Sequence, residues 1–346
     1  MMKFSSDFFK KNEVRFILLI FPFVLCGCRN LQKSSLSFQA MNTFVSVQTF
    51  GENSKNVNQK IKARLSELES LFSTTDSSSE IYKLNHSSEK IQVSSETYSL
   101  LSYSVKMAEI FNGHFNPALF PVIREWGFTT GNYHVPSQEK INFLLKKTDF
   151  SQIQFFDDNF VQLQDSMSVD FGSVAKGFAS DEIVKILSEN NILSALIDFG
   201  GNIIAFGEKP DSSFWRIGIK NPFGGEVSLA VKVKNQMVIT SGGYERFFTG
   251  EDGRRYIHIF DGRTALPVSN NVVSATAVGK SGVLCDALST SLFVLGPEKA
   301  AAFWKNNPEF DYIIVTADKK IFITDGIVRR FSLLPPAQEF ETCIIK

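Results

Sequence analysis

Cysteine and histidine are both scarce in this chain, at 4 residues each in 346. Cys26 and Cys28 fall within the first thirty residues, which leaves Cys285 and Cys343 for the rest. Two cysteines make no disulfide framework, and Cys285 reads as a small buried thiol. Neither charge is in excess, since 36 Lys+Arg balance 36 Asp+Glu, whereas nucleic-acid binders normally carry a strong basic surplus. No apolar run beyond residue 30 approaches the roughly 20 residues of a spanning helix. A disulfide scaffold, a nucleic-acid binder and a polytopic membrane protein are thereby excluded. What is present, 43% hydrophobic and 21% charged residues, suits a large globular core.

The first apolar run, Phe16–Leu25, follows Lys3, Lys10, Lys11 and Arg15. A basic head and a short, Pro-interrupted apolar stretch make a secretory signal and not a membrane span. The run ends in Leu25-Cys26-Gly27-Cys28, which resembles a bacterial lipoprotein cleavage box with Cys28 as the lipidated residue. A plain signal with an incidental cysteine is the alternative. The expected organisation is a signal peptide over 1–27, a tether over 28–37, one domain over 38–334 and a peripheral tail over 335–346. Such a chain is exported and lipid-anchored to the extracytoplasmic face of a bacterial membrane.

Phe44–Phe50 alternates at a period of two and predicts a strand. Val57, Ile61, Leu65, Leu68 and Phe72 recur at helical spacing, with Ser54 as N-cap. A helix over Thr97–Phe111 is stopped by Asn112-Gly113. From Ser168 the pattern reads strand, glycine turn, helix over Ala175–Asn190, then strand over Leu193–Asp198. Short β-rich runs follow at Trp215–Ile219, Val227–Val233, Met237–Thr240, Tyr256–Phe260 and Val272–Val278. A helix over Gly282–Leu295 and a hairpin of Tyr312–Thr316 with Lys320–Thr324 complete the series. Strands in runs, interrupted by helices, predict an α+β fold of mixed, mainly antiparallel sheets packed with helices.

Five segments carry candidate chemistry. Asp170-Phe-Gly-Ser-Val-Ala-Lys-Gly177 sits where a helix begins, so backbone amides and Lys176 could meet an anion such as phosphate. Its spacing is neither Walker nor Rossmann, and a solvated first-turn lysine is the competing reading. Asp198-Phe-Gly-Gly-Asn202 and Thr240-Ser-Gly-Gly-Tyr-Glu-Arg246 are further glycine turns at strand ends, where Ser241 could face a ligand. Asp286 and Thr290 stand four apart on a predicted helix, one turn from each other on one face. A carboxylate with a hydroxyl suits Mg²⁺; helix-terminus stabilisation is the competing reading. His258 is suited to proton transfer or to a core position beside Tyr256 and Phe260. His86, His114 and His134 have no metal-ligand spacing, which rejects a zinc site. No G-x-S-x-G elbow occurs.

Taken together the segments resemble the ApbE family, exported FAD:protein FMN transferases, from about Ala40 to about Gly326. The resemblance rests on Ala40-Met-Asn-Thr43, Gly113-His-Phe-Asn-Pro117 with Trp126-Gly-Phe128, Asp170–Gly177, Asp198–Asn202, Ser241–Arg246, His258–Asp261 and Asp286–Thr290. It implies transfer of FMN from FAD, through a phosphoester, to a Thr or Ser of an acceptor protein, with AMP leaving. Met41, Thr75, His114, Phe115, Asn116, Asp170, Lys176 and Phe260 match positions that contact FAD in the family. Ser173 through its carbonyl, with Asp286 and Thr290 through side chains, matches the Mg²⁺ positions, and His258 the histidine that activates the acceptor hydroxyl. Implied acceptors are flavin-bearing subunits of ion-pumping NADH:quinone or ferredoxin:NAD oxidoreductases. Departures from the family pattern are Asn42, Asn116, the single Gly172 before Ser173, Thr75 in an aromatic position, and Ser289 where some members carry Asp. A Mg²⁺-dependent FAD pyrophosphatase and a non-catalytic flavin-binding lipoprotein are the alternative functions.

Overall fold

In the computed structural model, which describes residues 32–346, the period-two pattern around Val45 and Val47 forms a strand paired on both sides. The expected signal peptide and Cys28 lie outside the described residues. Nine strands form the main sheet: β1 (Lys33–Ala40), β2 (Thr43–Phe50), β3 (Ser194–Phe199), β4 (Asn202–Gly207), β5 (Gln236–Gly242), β6 (Val272–Gly279), β7 (Asp311–Thr316), β8 (Lys320–Thr324) and β9 (Glu341–Ile345). Their order in space is their order in the chain. Every neighbouring pair is antiparallel except β8 with β9, which is parallel.

Among the described residues, seven α-helices accompany the sheet: α1 (Ser54–Phe72), α2 (Glu80–Asn85), α3 (Ser95–Ile110), α4 (Phe120–Glu125), α5 (Gln138–Leu145), α6 (Ala175–Glu189) and α7 (Gly282–Asn306). Met237 and Ile239 of β5, Ala275 and Ala277 of β6, and Tyr312 and Ile314 of β7 share one core with α1, α3, α6 and α7. Val57, Ile61, Leu65 and Leu68 of α1 are fully buried in it, each worth roughly 1.5–3 kcal/mol relative to exposure. The intervening Val238, Val278, Ile313 and Val315 turn to the other face. There a three-stranded antiparallel sheet of Phe331–Leu333, Val227–Val233 and Trp215–Lys220 covers them. Strands buried on both faces read as continuous apolar runs, which is why Tyr312–Thr316 shows little alternation. A third cluster gathers Trp126, Phe128, Ile141, Leu144 and Phe260 with the hairpin of Phe247–Thr249 and Arg255–Ile257.

Several expectations are corrected. Residues 33–37, read as tether, are strand, because Lys33–Ala40 pairs along its whole length with Thr43–Phe50. The tail expected to be peripheral lies at the sheet's edge, where Glu341–Ile345 forms the last strand and Ala337 and Phe340 are buried. Ser54 is the first residue of α1 and not its cap, and the preceding Asn53 caps it with no side-chain bond. Residues from Ser168 form no strand, for want of a neighbouring one. The Asn85 side chain holds Val169 instead, accepting from its amide at 2.7 Å and donating to its carbonyl at 2.8 Å. The run Tyr256–Phe260 is broken at His258, whose backbone N–H turns to the Arg246 carbonyl. The helix expected over Gly282–Leu295 does end there, because Gly296 at φ 76° kinks α7 and Pro297 opens its second helical stretch.

Candidate functional site

Two glycines set the contact between α6 and α7. A Cβ on Gly177 would collide with the Gly282 carbonyl and the Asp286 side chain, and one on Gly282 would collide with the Gly177 carbonyl. The first turns of the two helices therefore lie against each other, and each helix caps the other. Val174, which precedes α6, supplies no side-chain cap. The Gly177 N–H donates instead to Asp286 Oδ2 at 2.8 Å, from the facing helix. In return Asp181 of α6 accepts from the amides of Gly282 (2.6 Å) and Val283 (2.9 Å) and from Ser281 Oγ (3.3 Å), at the start of α7. A carboxylate at a helix N-terminus is stabilised by orphan amides and dipole together.

Asp286 is only 5% exposed. Desolvation pushes its pKa up, while the Lys176 charge, the Gly177 amide and the Asn202 side chain pull it back. The Asn202 amide nitrogen is buried and closes no hydrogen bond. Asn202 stands opposite Ile239 in the β4–β5 pairing, on the face covered by α7. On β5, Ser241 Oγ meets Ser289 Oγ at 2.8 Å and Thr290 Oγ1 at 3.2 Å.

Proton bookkeeping orders these hydroxyls, since each has one proton and two lone pairs. Ser289 donates to the Asp286 carbonyl at 2.9 Å, so it accepts from Ser241. Ser241 has then used its proton, and Thr290 donates to it. Both lone pairs of Thr290 stay available. Asp286 Oδ1 closes no hydrogen bond among the described residues. The Ser173 carbonyl is also open, because the Gly177 N–H that a regular helical turn would direct to it goes to Asp286. Three hard oxygens with unengaged lone pairs, one of them charged, are a donor set that fits Mg²⁺. No cluster of three or more His, Cys, Asp or Glu forms among the described residues, so the set depends on its hydroxyl and carbonyl members.

The glycine loop offers an anion less than its composition suggests. The Gly172 amide donates to Asp170 Oδ1 at 2.7 Å, and that of Gly177 is engaged by Asp286. Burial raises the Asp170 pKa to about 6, against the lowering effect of the Gly172 bond. Lys176 is thus the main cationic feature of the loop, and its charge acts on both Asp286 and His258. Burial lowers the His258 pKa to about 4, assisted by the charges of Arg246 and Lys176. His258 Nδ1 lies 3.1 Å from the Arg246 carbonyl. A carbonyl only accepts, so Nδ1 carries the proton and Nε2 presents its lone pair.

Comparison with known proteins decides the family. The ApbE family model matches residues 41–314. The chain belongs to the ApbE family. A relative from Treponema pallidum, an FAD:protein FMN transferase, is 36% identical over 261 residues, covering 70% of this chain and 72% of the relative. One of the same name from Klebsiella pneumoniae is 29% identical over 282 residues, covering 80% and 87%. Among solved structures, the ApbE protein of Thermotoga maritima superposes with a TM-score of 0.77 at 31% identity, covering 90% of this chain and 99% of that one. The apo flavinyl transferase ApbE of Pseudomonas stutzeri gives 0.74 at 27% identity, covering 83% and 92%. These neighbours share the mixed, mainly antiparallel α+β architecture expected from the sequence.

The remaining positions matched to the ApbE flavin contacts are spread around this centre. His114 donates through Nδ1 to Asp261 Oδ1 at 2.9 Å, and its carbonyl accepts from the Gly262 amide. The Pro117 carbonyl accepts from the Asp170 amide, so the turn over residues 114–117 joins the Asp261–Gly262 segment to the glycine loop. Asn116 is committed to that turn, donating to the Thr148 carbonyl and accepting from the Ala118 amide. Phe115 is buried in the main core and Phe260 in the aromatic cluster, so neither ring is free to cover a flavin as they stand. Met41 and Asn42 take positive φ, 49° and 58°, in the β1–β2 turn, a conformation that glycine adopts most easily. Thr75 is exposed and bonds locally to Ser73. Its loop reaches the site because Phe72 packs edge-on against Phe171, centroids 5.2 Å apart. Asp181 and Asn85 carry no signal in the sequence, and Asn202 shows there only as part of a glycine turn, since each acts on a segment remote along the chain.

Proposed function

We propose that this ApbE-family chain is an FAD:protein FMN transferase, moving FMN from FAD to a Thr or Ser hydroxyl of an acceptor protein and releasing AMP. The observation that carries the reading is the set of open oxygens on Ser173, Asp286 and Thr290, beside Lys176 and a neutral His258. These three residues would hold Mg²⁺, which when bound neutralises pyrophosphate charge and stabilises the oxygens of an in-line displacement. Lys176 attracts the same anion. His258 Nε2 takes the proton of the acceptor hydroxyl as its oxygen bonds to the FMN phosphorus. The phosphorus–oxygen bond to the AMP half breaks, and AMP leaves with the bridging oxygen. The names of the Treponema pallidum and Klebsiella pneumoniae relatives support the same reaction.

The test is to incubate the mature protein with FAD and Mg²⁺, with and without an acceptor domain, and to follow AMP, free FMN and protein-bound flavin. Bound flavin appearing in step with AMP supports transfer. Free FMN in step with AMP, whatever the acceptor, replaces it with a pyrophosphatase. Lipid anchoring through Cys28 is a separate proposal, resting on the Gly27-Cys28 box after an apolar run. Cys28→Ser should abolish acyl labelling and release the protein; membrane retention without label would make the uncleaved leader the anchor.

A further inference from the structure

The reciprocal capping of α6 and α7 does more than close two helix ends. A helix whose first-turn amide bonds four residues back leaves the carbonyl of that residue engaged. Here Asp286 diverts the Gly177 amide, and that single 2.8 Å bond has two effects. It fixes Oδ2 of Asp286, leaving Oδ1 open, and it leaves the Ser173 carbonyl without its backbone partner. The bond exists only while α7 keeps its position against α6. Two features hold that position: the crossing at Gly177 and Gly282, which admits no Cβ on either side, and Asp181, which grips the first two amides of α7 and Ser281.

We propose that Asp181 and Gly282 are positioning residues for the cation site, acting through the placement of Asp286 against the first turn of α6. Neither residue presents an atom to the open oxygens. Asp181 has its two carboxylate oxygens occupied by α7, and Gly282 has no side chain. Their effect is on where the Asp286 carboxylate stands and on whether the Ser173 carbonyl remains open. The inference rests on the reading of Ser173, Asp286 and Thr290 as the cation-binding oxygens.

The experiment measures Mn²⁺ binding to the full mature protein without FAD, by the loss of the free-ion paramagnetic resonance signal. Four variants are compared with the parent: Asp286→Ala, Asp181→Ala, Asp181→Asn and Gly282→Ala. Groups that orient a metal ligand typically change affinity about 10–100-fold when removed. Asp181→Ala and Gly282→Ala should weaken Mn²⁺ within about that range. Asp181→Asn keeps one acceptor for the α7 amides and should recover part of the loss. Circular dichroism restricts the comparison to folded protein, and Asp181→Asn serves if alanine does not fold. If Asp286→Ala binds Mn²⁺ as the parent does, the cation reading itself fails. If Asp286→Ala loses the ion while folded Asp181 and Gly282 variants bind it at parental affinity with lowered melting points, these residues are structural and the inference is overturned.

Discussion

Replacing Asp286 by asparagine or by alanine separates its two duties. Both changes remove the charge that would attract Mg²⁺, so both should lose nearly all AMP release from FAD. The metal-free stabilities should diverge. Asparagine keeps an oxygen for the Gly177 amide and removes a carboxylate whose ionisation burial already disfavours. That variant should melt at or above the parent. Alanine leaves the buried Gly177 amide without its 2.8 Å partner, and an orphaned donor costs roughly 1–3 kcal/mol. At ~2 °C per kcal/mol for a large domain, the melting point should fall by about 2–6 °C, toward the lower figure if the amide falls back on the Ser173 carbonyl.

The pH dependence follows from the same residue. A carboxyl whose folded pKa is raised contributes stability below its ordinary value of 3.8 and loses it as pH rises through the raised value. The metal-free parent should therefore lose stability, relative to Asp286→Asn, as pH rises through the window from 3.8 to that raised value. Added Mg²⁺ should restore it above the window in the parent alone. Scanning calorimetry with and without Mg²⁺, alongside chromatographic measurement of AMP, reads both effects. Full AMP release by Asp286→Ala with a lowered melting point would refute the metal role and leave only the helix cap.

His258→Ala should depress transfer by about 10²–10⁴-fold while FAD and Mg²⁺ affinities stay near the parent's. Because burial holds the free imidazole at about 4, the acid limb of kcat/KM should fall near pH 4; a limb near the ordinary 6.5 would count against His258 as the base. Lys176→Ala should weaken FAD more than riboflavin, since only FAD brings phosphates to the lysine. Equal losses for both, measured by fluorescence titration, would place Lys176 at the flavin ring or in folding.

Local patterns disclosed the scaffold well. Val45 and Val47 face the core while Phe44, on the same strand, is 61% exposed, so period-two alternation locates β2. The helical stripe from Val57 to Phe72 marks α1 for the same reason. The segment at Ser168 misleads because Met167, Val169 and Phe171 are all buried, as in a strand, yet Val169 bonds to the Asn85 side chain, Met167 to the Gln164 carbonyl and Phe171 to the amides of Val174 and Ala175. Phe115 and Phe260 look like ligand contacts within their motifs but fill cores, since an aromatic ring satisfies either pattern. Asp286 and Thr290 were visible as a pair because helical spacing brings them together locally. Their partners were not. The Gly177–Asp286 bond spans 109 positions and the Asp181–Gly282 bond 101, separations on which no periodicity reports.

Ser289 shows how the proposed cation site can be built with a single carboxylate. The residue is fully buried, three positions after Asp286 on the same helix. A second carboxylate there would stand beside one whose charge burial already resists, and like charges raise each other's pKa. The neighbourhood holds one compensating cation acting on Asp286, Lys176. Serine avoids that conflict and performs a different task. By donating to the Asp286 carbonyl it fixes the direction of the hydroxyl chain through Ser241, and the Thr290 proton is drawn away from the open side. One serine thus keeps the oxygen of Thr290 free to accept, where a carboxylate would have supplied charge at the expense of the one already present.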